Sequence, residues 1–164
     1  MEPNPYLSLV HRLEHSDGLE RAVGLIDPLA SRLVASESSR RLFHGDATGV
    51  PLHPVFTDVP FGAWFMADFL DSYSDPGTQR AATRLVGLGV ISAAPTALTG
   101  WAEWALSDPA TRRVGVVHAS VNAIAVLIFT GSWVARLRNK HGVGVGLARL
   151  GSAFLIVGGF RTVH

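Results

Sequence analysis

The chain has 164 residues, 48% hydrophobic and only 16% charged, with a formal net charge of +1 and no cysteine. That length allows one domain with at most a short appendage, and so apolar a composition excludes disorder over the whole length. The absence of cysteine excludes a disulfide framework, a cysteine nucleophile and any iron–sulfur cluster held by this chain alone; the scattered basic residues leave no nucleic-acid footprint.

Polarity is concentrated in residues 1–49, which read as an arm preceding a membrane domain of residues 50–164. The arm lacks the basic start, apolar middle and small-residue exit of a secretory signal. Leu19, Val23, Ile26, Leu29, Leu33 and Val34 recur at helical spacing, with Glu20, Arg21, Asp27 and Arg32 between them, an amphipathic pattern. Pro28 interrupts it, so two short helices or one kinked helix are expected. Such a helix can pack on the rest of the protein or lie in the membrane interface with its apolar face down, and the two readings are compatible. Residues 45–50 then read as a turn into the bilayer.

Four spans are expected beyond it, over about 51–71, 85–106, 114–135 and 143–160. Residues 85–106 hold a single charged side chain, Glu103, and residues 114–135 hold none. About 20 apolar residues cross the hydrocarbon core. The first and fourth spans are weaker, since they carry Asp58 and Asp68, and Arg149. The turns at Ser72–Gly77, Ser107–Pro109 and Arg138–Gly142 are short, so neighbouring spans run antiparallel. Gly89, Ala93 and Ala97, like Ser92, Thr96 and Gly100, repeat at four-residue spacing, as small residues do where helices approach closely in lipid. Pro95 is expected to kink the second span. The fold class is therefore all-α: a four-helix transmembrane bundle with an amphipathic helical arm.

Even span number places both termini on one side. Arg40, Arg41, Arg112, Arg113 and Arg161 flank the spans there, against Arg80, Arg84, Arg136, Arg138 and Lys140 on the other, so the basic residues set no orientation. The charged arm and the missing signal point to cytoplasmic termini in a multi-pass protein of the plasma membrane.

Ionisable groups within a bilayer are costly and mark functional sites by default. With alternating span direction, His53 and His118 enter from the arm side, Trp101, Glu103 and Trp104 end the second span there, and Arg161 and His164 end the fourth. Asp58 lies below His53, and Asn122 one turn below His118. His53, His118, Asp58, Asn122 and Trp101 thus form a candidate cofactor layer. At the other end Asp68, Asp71 and His141 read as isolated. The two imidazoles can ligate a b-type haem axially, hydrogen-bond a quinone with Asp58 or Glu103 relaying protons, or join Glu103 or Asp58 around a non-haem metal. They can also be purely structural. The four tryptophans, Trp64 among them, fall near span ends or interfaces, where indoles commonly sit. The Gly142–Gly146 run is no phosphate loop, lacking the lysine and the strand–helix setting. Ser120 and Ser132 have no identifiable base, so no catalytic residue is assigned and no activity is expected of the chain on its own.

The segments Leu52-His53-Pro54, Asp58, Pro60-Phe61-Gly62, Asp71, Pro95–Trp101 with Trp104, Arg112-Arg113, His118-Ala119, Asn122, Ser132, Arg136, Gly151 and Gly158-Gly159 follow in an order that resembles domain-of-unknown-function family 2231 (DUF2231), small four-span membrane proteins. The resemblance covers about residues 45–160 and implies a helical membrane domain without an assigned activity. Relatives of this kind often accompany a Rieske-type iron–sulfur domain, which implies a redox membrane anchor. Many members read Gly-His-Pro-Leu-His-Pro; here Val50 stands at the first histidine. The sequence ends at His164, so a Rieske-type partner is expected as a separate subunit. The leading expectation is a non-catalytic subunit of a redox or respiratory assembly in the lipid bilayer. The alternatives are a structural or assembly protein without cofactor, and a small proton or ion transporter using Asp58, Asp68 and Glu103.

Overall fold

The computed structural model describes residues 12, 15–46, 49, 50 and 52–159. Six helices, and no strand, occur among them: α1 (Asp17–Leu33), α2 (Glu37–His44), α3 (Leu52–Leu70), α4 (Pro76–Ala105), α5 (Pro109–Leu137) and α6 (His141–Gly159). The all-helical class holds. By length and hydropathy α4 and α5 can each cross a bilayer, and His141–Ile156 is a shorter apolar stretch. α3, which carries Asp58 and Asp68, does not meet that test.

Both long helices begin earlier than the apolar runs suggest, and by the same device. Asp75 precedes Pro76, and its Oδ1 accepts from the backbone N–H groups of Gly77 at 3.0 Å and Thr78 at 2.9 Å. Asp108 precedes Pro109 and accepts likewise from Ala110 at 3.0 Å and Thr111 at 3.1 Å. In each turn the threonine hydroxyl donates to the other carboxylate oxygen. Proline at the first helical position needs no N–H partner, and the carboxylate satisfies the next donors. These hydrogen bonds, the threonine hydroxyl's first, hold both carboxyls below the ordinary aspartate range. The last turns close as firmly. Gly45 (φ 77°) and Asn139 (φ 59°) adopt the left-handed conformation after α2 and α5, and the next N–H reaches back to Arg41 and Ala135 at 3.0 and 2.9 Å.

Pro28 and Pro95 lie inside α1 and α4, each assigned as one continuous helix, so α1 is not split in two. The break in the arm comes at residues 34–36, where Ser36 caps α2 through the Ser39 N–H at 3.0 Å.

The chain divides into two compact units, one of residues 1–53 and 97–119, the other of 54–96 and 120–164. The first gathers Val23, Ala30 and Val34 of the arm with Ala102, Trp104, Ala105 and Val116. The arm helix therefore packs on protein. Its flank is pinned as well: Arg112 meets Asp27 at 2.8 Å and Arg113 meets Glu20. Leu25 and Leu29 remain largely exposed, because they lie off the buried stripe.

The second unit is built around Trp64, stacked on Phe129 with ring centroids 4.1 Å apart and planes 1° from parallel. Ala67, Ala82, Val86, Ala125, Ala148 and Leu155 surround them. Trp64 thus sits in the core rather than at an interface, and its Nε1 donates to the Val86 carbonyl at 3.3 Å. The small residues of α4 serve this packing as seats for rings. A Cβ on Gly89 would collide with the Trp64 indole. Large aliphatic side chains point outward instead: Ile91 is 64% and Leu127 71% exposed.

Candidate functional site

In the first unit, His53 lies in the first turn of α3 and is half-buried. Its Nδ1 is 3.3 Å from the Thr99 hydroxyl on α4. One residue on, Gly100 leaves room for the ring: a Cβ there would be 2.8 Å from His53 Cε1. Leucine or valine at this position would displace the imidazole. His118, on α5 and also half-buried, lies within electrostatic reach of His53. Both histidines singled out by span direction thus fall in the first unit.

Below them the tryptophans organise the turn between α4 and α5. Trp104 is buried, donates its indole N–H to the Arg112 carbonyl at 2.8 Å, and meets Trp101 edge-on at 5.3 Å. The Arg112 guanidinium stands 5.4 Å from the Trp104 ring centroid and donates through Nε to the Ser107 carbonyl at 3.0 Å. It also donates to the Ala105 carbonyl and to Asp27. One arginine thus ties together the end of α4, the start of α5 and the arm, with cation–π attraction added. Gly115 makes room for Trp104, since a Cβ there would be 2.6 Å from its ring.

Glu103 is half-buried on α4. Asp58, exposed on α3, and Asn122, half-buried on α5, belong to the second unit. Among the described residues no group of three or more His, Asp or Glu is positioned to hold a metal ion. Arg161 and His164 lie outside the described residues.

The far-end residues that read as isolated are not. Asp71, just past α3, receives two hydrogen bonds from Arg136 of α5, at 2.8 and 2.5 Å, and neither side chain exposes any surface. The two planar groups meet fork to fork, the strongest form of ion pair available to these side chains. His141, at the start of α6, approaches the same carboxylate at 3.7 Å. Arg136 Nε donates to Ser132 Oγ at 3.2 Å, and that hydroxyl donates to the Gly144 carbonyl at 2.6 Å. Gly144 is required here: a Cβ would be 2.5 Å from Arg136 Cγ and 3.0 Å from the Ser132 carbonyl oxygen. Nearby, Asp68 Oδ2 pairs with the Ser152 hydroxyl of α6. Part of the signal, the spacing along the chain, was in the sequence. Ser132 and Arg136 are four apart on one helix face, and Asp71 and Arg136 stand at the close of the first and third expected spans, which run parallel and finish at the same end.

These two polar centres sit in a chain whose family can be stated. Residues 49–163 match the family described as "Predicted membrane protein (DUF2231)", the family that the ordered motifs resemble. No curated protein and no solved structure matches the chain. The match covers more than two-thirds of the sequence and takes in both centres, from His53 to Ser152; the chain belongs to the DUF2231 family of predicted membrane proteins.

Proposed function

We propose that the protein is a four-span, non-catalytic subunit of a redox assembly in the plasma membrane, with His53 and His118 as its cofactor-holding pair. α3 and α6 cross beside α4 and α5 in this reading. The outward Ile91, Leu127 and Phe69 support it, since exposed large apolar side chains suit lipid tails rather than water.

The observation that supports the functional part is that two half-buried imidazoles from different helices share one unit and act on each other electrostatically, one of them in hydrogen-bond contact with a threonine. The donor set fits a b-type haem. In the tautomer whose Nδ1–H donates to Thr99, His53 keeps Nε2 for ligation, and such an outer hydrogen bond is the usual support of a ligating histidine. Bound there, haem would supply one-electron transfer. His53 and His118 would hold it from α3 and α5, Thr99 would fix one imidazole's orientation, and Gly100 would keep room for that ring. A quinone hydrogen-bonded by the same histidines gives the same assembly role. A Rieske-type subunit is the kind of partner that such an anchor serves.

The test is an optical spectrum of haem-supplied protein in mild detergent, before and after dithionite. A Soret band that sharpens on reduction and vanishes in His118→Ala supports the haem site. A featureless spectrum from folded protein, with no quinone in the organic extract, overturns the redox reading. The second reading, a structural or assembly protein, is favoured by how closely His53 is already packed on Thr99 and Gly100. It expects His118→Ala to change stability alone.

A further inference from the structure

Asp68 presents an imbalance that the histidine site does not use. Its Oδ1 is buried without a hydrogen-bond partner, while Oδ2 meets the Ser152 hydroxyl. One turn on, Asp71 is wholly engaged by Arg136, with His141 at its edge. The guanidinium is likewise committed, to Asp71 and to Ser132. Two carboxylates, Asp68 and Asp71, therefore share a region with one buried cation. Arg149 of α6 also acts on Asp68 at longer range, but it is exposed, and the ion pairs of this unit among the described residues both run to Asp71.

An ionised carboxylate needs several donors to offset its desolvation. Asp71 has them. Asp68 has one hydroxyl and an oxygen facing no donor. A neutral acid needs less: one O–H to place and one weakly solvated carbonyl oxygen to leave. Adding a proton to the half-buried Asp68 also makes the group of Asp68, Asp71 and Arg136 electrically neutral, which the membrane setting favours.

We infer that Asp68 is a proton-binding site: at neutral pH it stands as the carboxylic acid, paired with Ser152 beside the closed Asp71–Arg136 ion pair. Its ligand is a proton, exchanged with no other group oxidised or reduced. It is independent of the histidine pair, and either can fail without the other.

The experiment is infrared spectroscopy of the full chain in lipid vesicles at neutral pH. The expected result is a carboxylic-acid C=O stretching band that shifts slightly in heavy water, is lost in Asp68→Asn and persists in Asp58→Asn. Ser152→Ala is expected to shift the band without removing it, because the hydroxyl contacts the acid group directly. That second variant decides the matter where Asp68→Asn fails to fold. Absence of the band in folded wild-type protein overturns the inference, as does a band unmoved by both Asp68→Asn and Ser152→Ala.

Discussion

Arg136 and Asp71 have no exposed side-chain surface, so each is the other's substitute for water. Removing one partner of a buried pair strands the other charge and costs about 3–5 kcal/mol. Asp71→Ala and Arg136→Leu should each lower thermal stability by that order in detergent, as a denaturation series with both singles and the double variant would show. The double should be less impaired than the two singles summed, because it strands no charge. Gly100 governs the other centre. Gly100→Ala places a methyl group 2.8 Å from the His53 ring, and overpacking of this kind costs about 1–3 kcal/mol. Any ligand signal that depends on His53 should fall with it, while one independent of His53 should not. At this scale alternating span direction sets His53 and His118 at one depth, and both fall in the first unit. The sequence did not disclose that Asp71 and Arg136 meet. Counting Arg136 among residues flanking the bilayer treated it as solvated, and rotation about a helix axis, which decides burial, leaves no mark in hydropathy.

Helix ends carry the second set of consequences. Asp75 and Asp108 occupy equivalent places in two Asp-Pro-Xaa-Thr turns, and both carboxyls are held low in the folded state by their threonine and backbone donors. A carboxyl held low when folded stabilises above its ordinary value of 3.8 and loses that contribution as pH falls through the lower folded value. Asp108→Ala should therefore reduce the melting temperature at neutral pH, and the difference from wild type should close in strong acid. A pair of melting series across acid pH checks it. The helices themselves were legible as apolar runs. Their true starts were not, because hydropathy marks where charge ends and capping marks where the backbone turns. The same turns read merely as breaks between spans. Trp64 shows the converse error: an indole near the end of an apolar run suggests an interface, yet Gly89 on α4 opens a seat for it against Phe129. Trp64→Ala should cost about 3–5 kcal/mol as a buried aromatic removal, far more than an interfacial tryptophan would, and thermal unfolding distinguishes the two.

The molecule as a whole is a helical member of a membrane-protein family with two polar centres in its two units. The helical class and the two long apolar helices follow from the distribution of charge along the chain. The number of crossings rests on α3 and α6, whose Asp58, Asp68 and Arg149 dilute the apolar signal. Within the second unit Asp68 meets Ser152 and Asp71 is engaged by Arg136. The central claim, that α3 crosses the membrane together with α4 and α5, is open to a direct measurement because the chain has no cysteine. Single cysteines at Ser38, Ser74 and Ser107 would be labelled with a membrane-impermeant maleimide in intact cells and in lysed cells. Four crossings place Ser38 and Ser107 on one side and Ser74 on the other. Ser38 and Ser74 labelled from the same side would show that α3 does not cross, and would contradict the four-span account.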